Sequence, residues 1–276
     1  MIEHNWEQRK EIIISILEDT ITLLEDMSHS FQKDYHPKRI SPFRHLCFGY
    51  LLITKNNIIT SLLLIKNNMM YQIHYISRNM YEMVINLSYI NTDKTKLEER
   101  VQRFFDFRIC QKYNCLDTMN KYPEIHQGFR TLEKDYMIQD EYNKYLSKYY
   151  KNDKKRVILY WSGISLYQMI NSILDDKKRD NLLRGYYWVD KINNQYIHPS
   201  YEYIKNVIDD EYVSSVKSDD RYKNELYLLE VIYISVFMII EIYLEHFQKN
   251  RLLFRKRHNQ LEMRFEEYLN LFQNKL

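Results

Sequence analysis

An all-α fold follows from three observations on the 276-residue sequence. The chain has only 4 Gly and 4 Pro, too little turn chemistry for a many-stranded sandwich or barrel. Hydrophobic residues make up 45% of it, ample for a core in one large domain or two small ones. Its apolar residues recur at helical spacing in segment after segment. The 12 Phe and 26 Tyr also carry far more ring surface than a disordered chain holds. A single helical, bundle-like domain of about nine or ten helices is expected.

In chain order, Ile12–Leu24 (IIISILEDTITLL) reads as a first amphipathic helix. The polar stretch His29–Pro42, with Pro37 and Pro42, reads as a connection. It sets an amino-terminal helix and connection (1–42) apart from a main helical domain (43–276). Helices are predicted over Phe48–Ile65 and Tyr71–Ile90. Thr92–Asp93 then caps a charged helix, Leu97–Tyr122, that stops at Pro123. Phe129–Tyr150 is polar and Tyr-rich, and Val157–Leu174 follows. Asn181–Ile197 is halted by Pro199, and Asp209–Asp220 is the clearest surface loop. Leu226–Phe247 and Leu252–Phe272 close the sequence, the first as the central helix of the fold, with Tyr71–Ile90 packed nearby.

Charge and cysteine usage narrow the setting. Lys+Arg total 40 against 37 Asp+Glu, so any basic footprint is local. Cys47, Cys110 and Cys115 are odd in number and form no CxxC pair, which suits a reduced, cytoplasmic compartment. The uninterrupted apolar run Val231–Ile240 is bounded by Glu230 and Glu241. It falls well short of the roughly 20 residues a spanning helix needs, so no membrane partner is expected. The four glycines, Gly49, Gly128, Gly163 and Gly185, form no phosphate-cradling motif. The chain has Glu82, Glu230, Glu241, Glu245 and His246 but no Glu-x-x-His, so neither a di-metal centre nor a cofactor is expected. Glu241 and Glu245 share a face and should meet cations such as Arg78 or Arg108, or face solvent.

Two polar constellations stand out. His74, Arg78 and Glu82 sit at i, i+4 and i+8 in an otherwise apolar helix. They are either an ion pair on a solvated face or a buried polar line in the core. His198 ends a helix before Pro199, in Tyr196-x-His198-Pro199. There the macrodipole favours an imidazolium, so His198 is either an acid–base group or a cap for the last carbonyls. Tyr160-Trp161-Ser162-Gly163 reads as a packing corner. Cys47 reads as a buried thiol rather than a nucleophile. The Tyr and Lys of Tyr142–Lys154 could stack on single-stranded bases, or form an amphipathic surface helix.

The Arg78-x3-Glu82 helix, the following Phe105 and Arg108, and the late Tyr196, His198 and Pro199 together resemble domain-of-unknown-function family 5677. That resemblance spans about Phe48–Phe247. It implies an all-helical bacterial or archaeal protein with a polar cluster and no established activity. Asn193-Asn194-Gln195 stands where that family usually has small and hydroxyl residues.

Lys249–His258 (KNRLLFRKRH) is the sharpest basic cluster. Its Arg251-x6-His258 spacing is similar to the Arg-x4–6-His pattern of the HEPN ribonucleases, although Leu252 follows the arginine where a polar residue is usual. The resemblance implies a dimer in which His258 is the general acid–base and Arg251 stabilises phosphoryl charge, with no metal. Arg251, Arg255, Lys256 and Arg257 would then contact nucleic acid. Two function classes result. One is a defence- or toxin-like protein acting on RNA or other nucleic acid, with Arg251 and His258, or His198, Arg78 and Glu82, as its site. The other is a non-enzymatic interaction module whose last helix docks a second copy or a partner protein. The first predicts an open basic groove. The second predicts arginines tied up by carboxylates and an exposed apolar patch along Phe265–Phe272.

Overall fold

The computed structural model describes residues 2–34, 40–67, 69, 72–121, 132–150, 160–186, 189, 219–247 and 250–273. Among them there are ten α-helices, one 3-10 turn and no strand. The helices are α1 (Ile2–Asp34), α2 (Pro42–Lys66), α3 (Ile73–Asn91), α4 (Leu97–Asp106) and α5 (Arg108–Lys121). They continue as α6 (Leu132–Tyr150), α7 (Leu166–Asn171), α8 (Asp176–Tyr186), α9 (Asp219–His246) and α10 (Arg251–Gln273).

The helix starts follow from local chemistry. Ser41 accepts from the Arg44 amide at 3.3 Å with Pro42 in the first turn of α2, where a missing N–H does no harm. Asp93 accepts from the Thr95 amide at 3.0 Å and opens the 3-10 turn Lys94–Lys96 that leads into α4. Ser165 and Gln168 form a reciprocal capping box that starts α7.

The apolar helix α9 is the centre of the fold, as its sequence predicts. It packs most extensively on α3 and also touches α1, α2 and α10. Leu229, Ile232, Val236, Ile242 and Leu244 of α9 and Val84, Ile85 and Leu87 of α3 are fully buried. Each such side chain contributes about 1.5–3 kcal/mol by leaving water. Helices α2 and α9 each hold a window apolar enough to cross a membrane by length and composition. In α9, 67% of that window is buried inside the chain, the pattern of a core helix.

Several element boundaries differ from the sequence expectation. Helix α1 does not stop at His29: Phe31 stacks on Phe48 at 4.1 Å and meets Phe247 edge-on at 5.2 Å, which carries the helix to Asp34. Ile13, Ile16 and Leu17 of α1 belong to the same core as α9. The predicted helix Leu97–Tyr122 breaks at Phe107 into α4 and α5, because Phe107 packs against two separate apolar clusters at once. Of the predicted helix Val157–Leu174, the part from residue 160 onward is helical only over Leu166–Asn171, where the capping box sets the start; residues 157–159 lie outside the described residues. Helix α8 starts at Asp176 rather than Asn181.

A second, smaller cluster joins α5 to α6. Ile109, Cys110, Tyr145, Leu146 and Tyr150 are buried there, and Tyr113 stacks on Tyr142 at 3.8 Å with planes 4° apart. The Arg103 guanidinium of α4 lies over the Tyr149 and Tyr150 rings at 5.3 and 4.9 Å. Gly163, at φ +77°, makes room for this arrangement, since a Cβ there would lie 2.8 Å from Arg103 Nη2.

Candidate functional site

In the basic segment that opens α10, the structure divides the residues the sequence grouped. Arg251 and Lys256 are exposed. Arg255 is ion-paired to Glu241 of α9, and Arg257 to Asp26 of α1. His258 is 1% exposed and lies flat on Phe237, with ring centroids 4.2 Å apart. Its Nδ1 is 3.5 Å from Glu241 Oε1, and neither ring nitrogen makes a hydrogen bond of normal geometry. Burial pushes the His258 pKa down to about 4, helped by Arg255 and opposed only in part by a backbone contact from Phe237. The imidazole is therefore neutral and buried, while Arg251, seven residues earlier at the start of α10, faces solvent. Phe254, Leu261, Phe265 and Tyr268 form the buried stripe of α10, so the stretch 265–268 is not an exposed apolar patch.

The polar line of α3 is split by depth. His74 is 6% exposed, whereas Arg78 and Glu82, paired at 3.0 Å, keep 26% and 37% of their side chains in solvent. Asn86 continues the line one turn on and accepts from Trp161 Nε1 at 2.7 Å. Trp161 packs edge-on against Phe104 and Tyr89, the corner its sequence context suggests. His198, with Tyr196 and Pro199, lies outside the described residues, as does Lys249.

A third constellation was not visible in the sequence. Where α3, the 3-10 turn, α9 and the start of α2 converge, Asn91 Nδ2 donates to Glu245 Oε2 at 2.7 Å. Because the Asn91 amide nitrogen faces a carboxylate, its Oδ1 faces His246 Nε2 at 2.7 Å and accepts that N–H. Lys94 donates to the same Oδ1 and lies 3.4 Å from Glu245. Arg44 of α2 donates to the His246 carbonyl at 2.7 Å and so caps the end of α9. Burial lowers the His246 pKa to about 4, and Lys94 adds to the effect. The cluster is fully hydrogen-bonded and holds a neutral imidazole, an arrangement suited to locking helix ends. Glu241 and Glu245 thus do meet cations, but Arg255 and Lys94 rather than Arg78 or Arg108. The only signal in the sequence was the adjacent Glu245-His246 at the end of an apolar helix.

Other candidates are structural. Cys47 is fully buried, and desolvation pushes its thiol pKa far up, so it is no nucleophile. Tyr145 and Tyr150 are buried against α5 and α4, and the half-buried Tyr142 stacks on Tyr113; residues 151–154 of that stretch lie outside the described residues. Among the described residues no group of three His, Cys, Asp or Glu side chains could hold a metal ion.

No curated protein and no solved structure matches the chain. A family does match, over residues 46–214, more than half of the chain. The match takes in Arg78, Glu82, Phe105 and Arg108 and ends before α9, so neither the central helix nor the basic segment of α10 lies within it. By that match, the chain belongs to the family of unknown function DUF5677.

Proposed function

We propose that this chain is a non-enzymatic helical interaction module rather than a defence- or toxin-like metal-independent ribonuclease. The observation that carries this reading is the state of His258. A general acid–base must reach its substrate and titrate near the working pH, whereas this imidazole is 1% exposed with a pKa of about 4. Arg255 and Arg257, the other basic groups nearest to it, are engaged by carboxylates.

The surface left for docking is the outer face of α10. Leu252 (87% exposed), Lys256, Asn259 and Met263 (60% exposed) lie at i, i+4, i+7 and i+11, one stripe pointing away from the core. The partner in this reading is a second copy of the chain. A reducing, cytoplasmic setting suits it, since Cys47, Cys110 and Cys115 are all free. A second reading rests on Arg251 and Lys256, the exposed cations of the segment, as phosphate contacts to nucleic acid.

Sedimentation velocity over a concentration series, run beside cleavage of labelled RNA in EDTA and in Mg2+, tests this. The expected result is self-association that Leu252→Glu/Met263→Glu abolishes, with intact RNA in both buffers. EDTA-resistant cleavage lost in Arg251→Ala would overturn the proposal. Salt-sensitive RNA binding without cleavage, weakened by Arg251→Ala/Lys256→Ala, would favour the second reading.

A further inference from the structure

A cavity of about 610 Å³ opens between α3, α8 and α9, within the range that holds small organic ligands. One wall is a stripe of α9 at i, i+4, i+7 and i+11: Tyr227, Val231, Ile234 and Met238. Facing it are Val84 of α3 and Leu182 of α8, both essentially without solvent exposure. The walls are held in place. Gly185 lets α8 settle on the Tyr81 ring, where a Cβ would come within 2.9 Å, and the Tyr81 hydroxyl donates to the Leu182 carbonyl.

The charges around the cavity divide into occupied and unoccupied. Glu241 is engaged by Arg255, and Glu245 by Asn91 and Lys94. Asp175 accepts from the Lys178 amide at 2.9 Å at the start of α8. Of the α8 cations, Arg179 is paired to Asp176 and Asp180. Lys177, Lys178 and Arg184, which line the cavity, make no direct ion pair among the described residues, although the charge of Lys178 acts on Glu245 and that of Lys177 on Glu262. An apolar chamber whose rim cations make no direct ion pair is complementary to an amphipathic anion.

We propose that this cavity binds a small amphipathic anion, with its apolar body along the Val231–Ile234–Met238 wall and its anionic head on the α8 cations. The head is a carboxylate or a phosphate. The site is separate from the outer face of α10 and stands or falls independently of the docking reading.

Isothermal titration with dodecanoate, dodecyl phosphate, dodecanol and dodecylammonium, each below its micelle concentration, tests the proposal. Saturable binding of one anion per chain is expected, and the stronger of the two anions identifies the head group. Dodecanol should bind about tenfold more weakly or worse, the worth of a charge-assisted hydrogen bond. Reversing the rim with Lys177→Glu/Lys178→Glu should weaken the anion by at least that factor. Ile234→Trp should abolish binding by filling the cavity; the residue is 46% exposed, so the ring is accommodated without crowding the core. An unchanged melting curve by circular dichroism verifies that each variant is folded. No saturable binding of either anion would overturn the inference. So would equal affinity for dodecanol, or binding indifferent to both variants in their folded state.

Discussion

The core around α9 and the cluster between α5 and α6 are packed with different side chains. Around α9 the buried side chains are chiefly aliphatic, with buried polar groups such as Thr20, Thr54 and Ser235 set within the helices, and five helices share the contact. Between α5 and α6 the interior is tyrosine, a cysteine and the flank of Arg103. There the Tyr145 hydroxyl and Arg103 Nε are buried without a hydrogen bond. Two helices close that cluster instead of five. Both regions thus combine apolar burial with ring and cation–π contacts, and both hold buried polar atoms without a hydrogen bond, Thr54, Ser88 and His258 among those around α9; they differ in their share of tyrosine and in the number of helices that close them.

The sharpest way to break this contrast is to cut the same amount from each region. Ile232→Ala, at a fully buried site on α9, should cost about 3–4 kcal/mol, read as a lower urea midpoint for the whole chain. Leu146→Ala in the α5–α6 cluster should cost less globally and instead raise amide exchange in α5 and α6 alone. Equal loss of cooperativity from the two changes would show that the regions fold as one unit.

Acid should also distinguish them. His246 and His258 both bear on the α9 core, whereas α5 and α6 contain no histidine among their described residues. Both folded-state pKa values are depressed to about 4 from an ordinary 6.5, so between those values the unfolded chain holds more protons. The stability is full above about pH 6.5 and is lost as pH falls toward 4, on the order of 2 kcal/mol per histidine between pH 7 and 5. Urea unfolding at pH 7, 6 and 5 checks this, and His258→Phe, which keeps the stack on Phe237, should flatten part of the slope.

Smaller effects sharpen the picture at the junction. Gly163→Ala should cost about 1–2 kcal/mol, because alanine is strained at φ +77° and its methyl meets Arg103. Thermal unfolding followed by tyrosine near-ultraviolet dichroism would register it at the α5–α6 rings. At the bottom of the scale, Arg78→Ala should change stability by no more than about 0.5 kcal/mol, since the pair with Glu82 is partly solvated. A loss several times larger would mean that the α3 line has a buried role.

What the sequence made legible was whatever depends on neighbours along the chain. The apolar period of α9, the Asp93 start and the burial of Cys47 are all local statements, whereas the second helix begins at Pro42, six residues before the Phe48 start expected. The break at Phe107 was not legible, because a phenylalanine inside a helical pattern gives no sign that it is shared between two clusters. The cluster of Asn91, Lys94, Glu245 and His246 needs side chains more than 150 residues apart to meet. Most instructive is α10. Its basic run reads as a free surface from composition, and the carboxylates that engage Arg255 and Arg257, Glu241 and Asp26, come from α9 and α1.

Such pairs have a consequence for how the chain reaches its native state. Arg264 binds Asp19 across 245 positions and Arg9 binds Glu230 across 221, so α1, besides packing on its neighbour α2, finds several of its ion-pair partners far along the chain. During synthesis α2 can cover part of α1 early, but the flank of α1 that meets α9 and α10 stays uncovered until those helices are made. Closure of the bundle is therefore a late, high-contact-order event. Until α10 is made, that flank of α1 is open to misassociation.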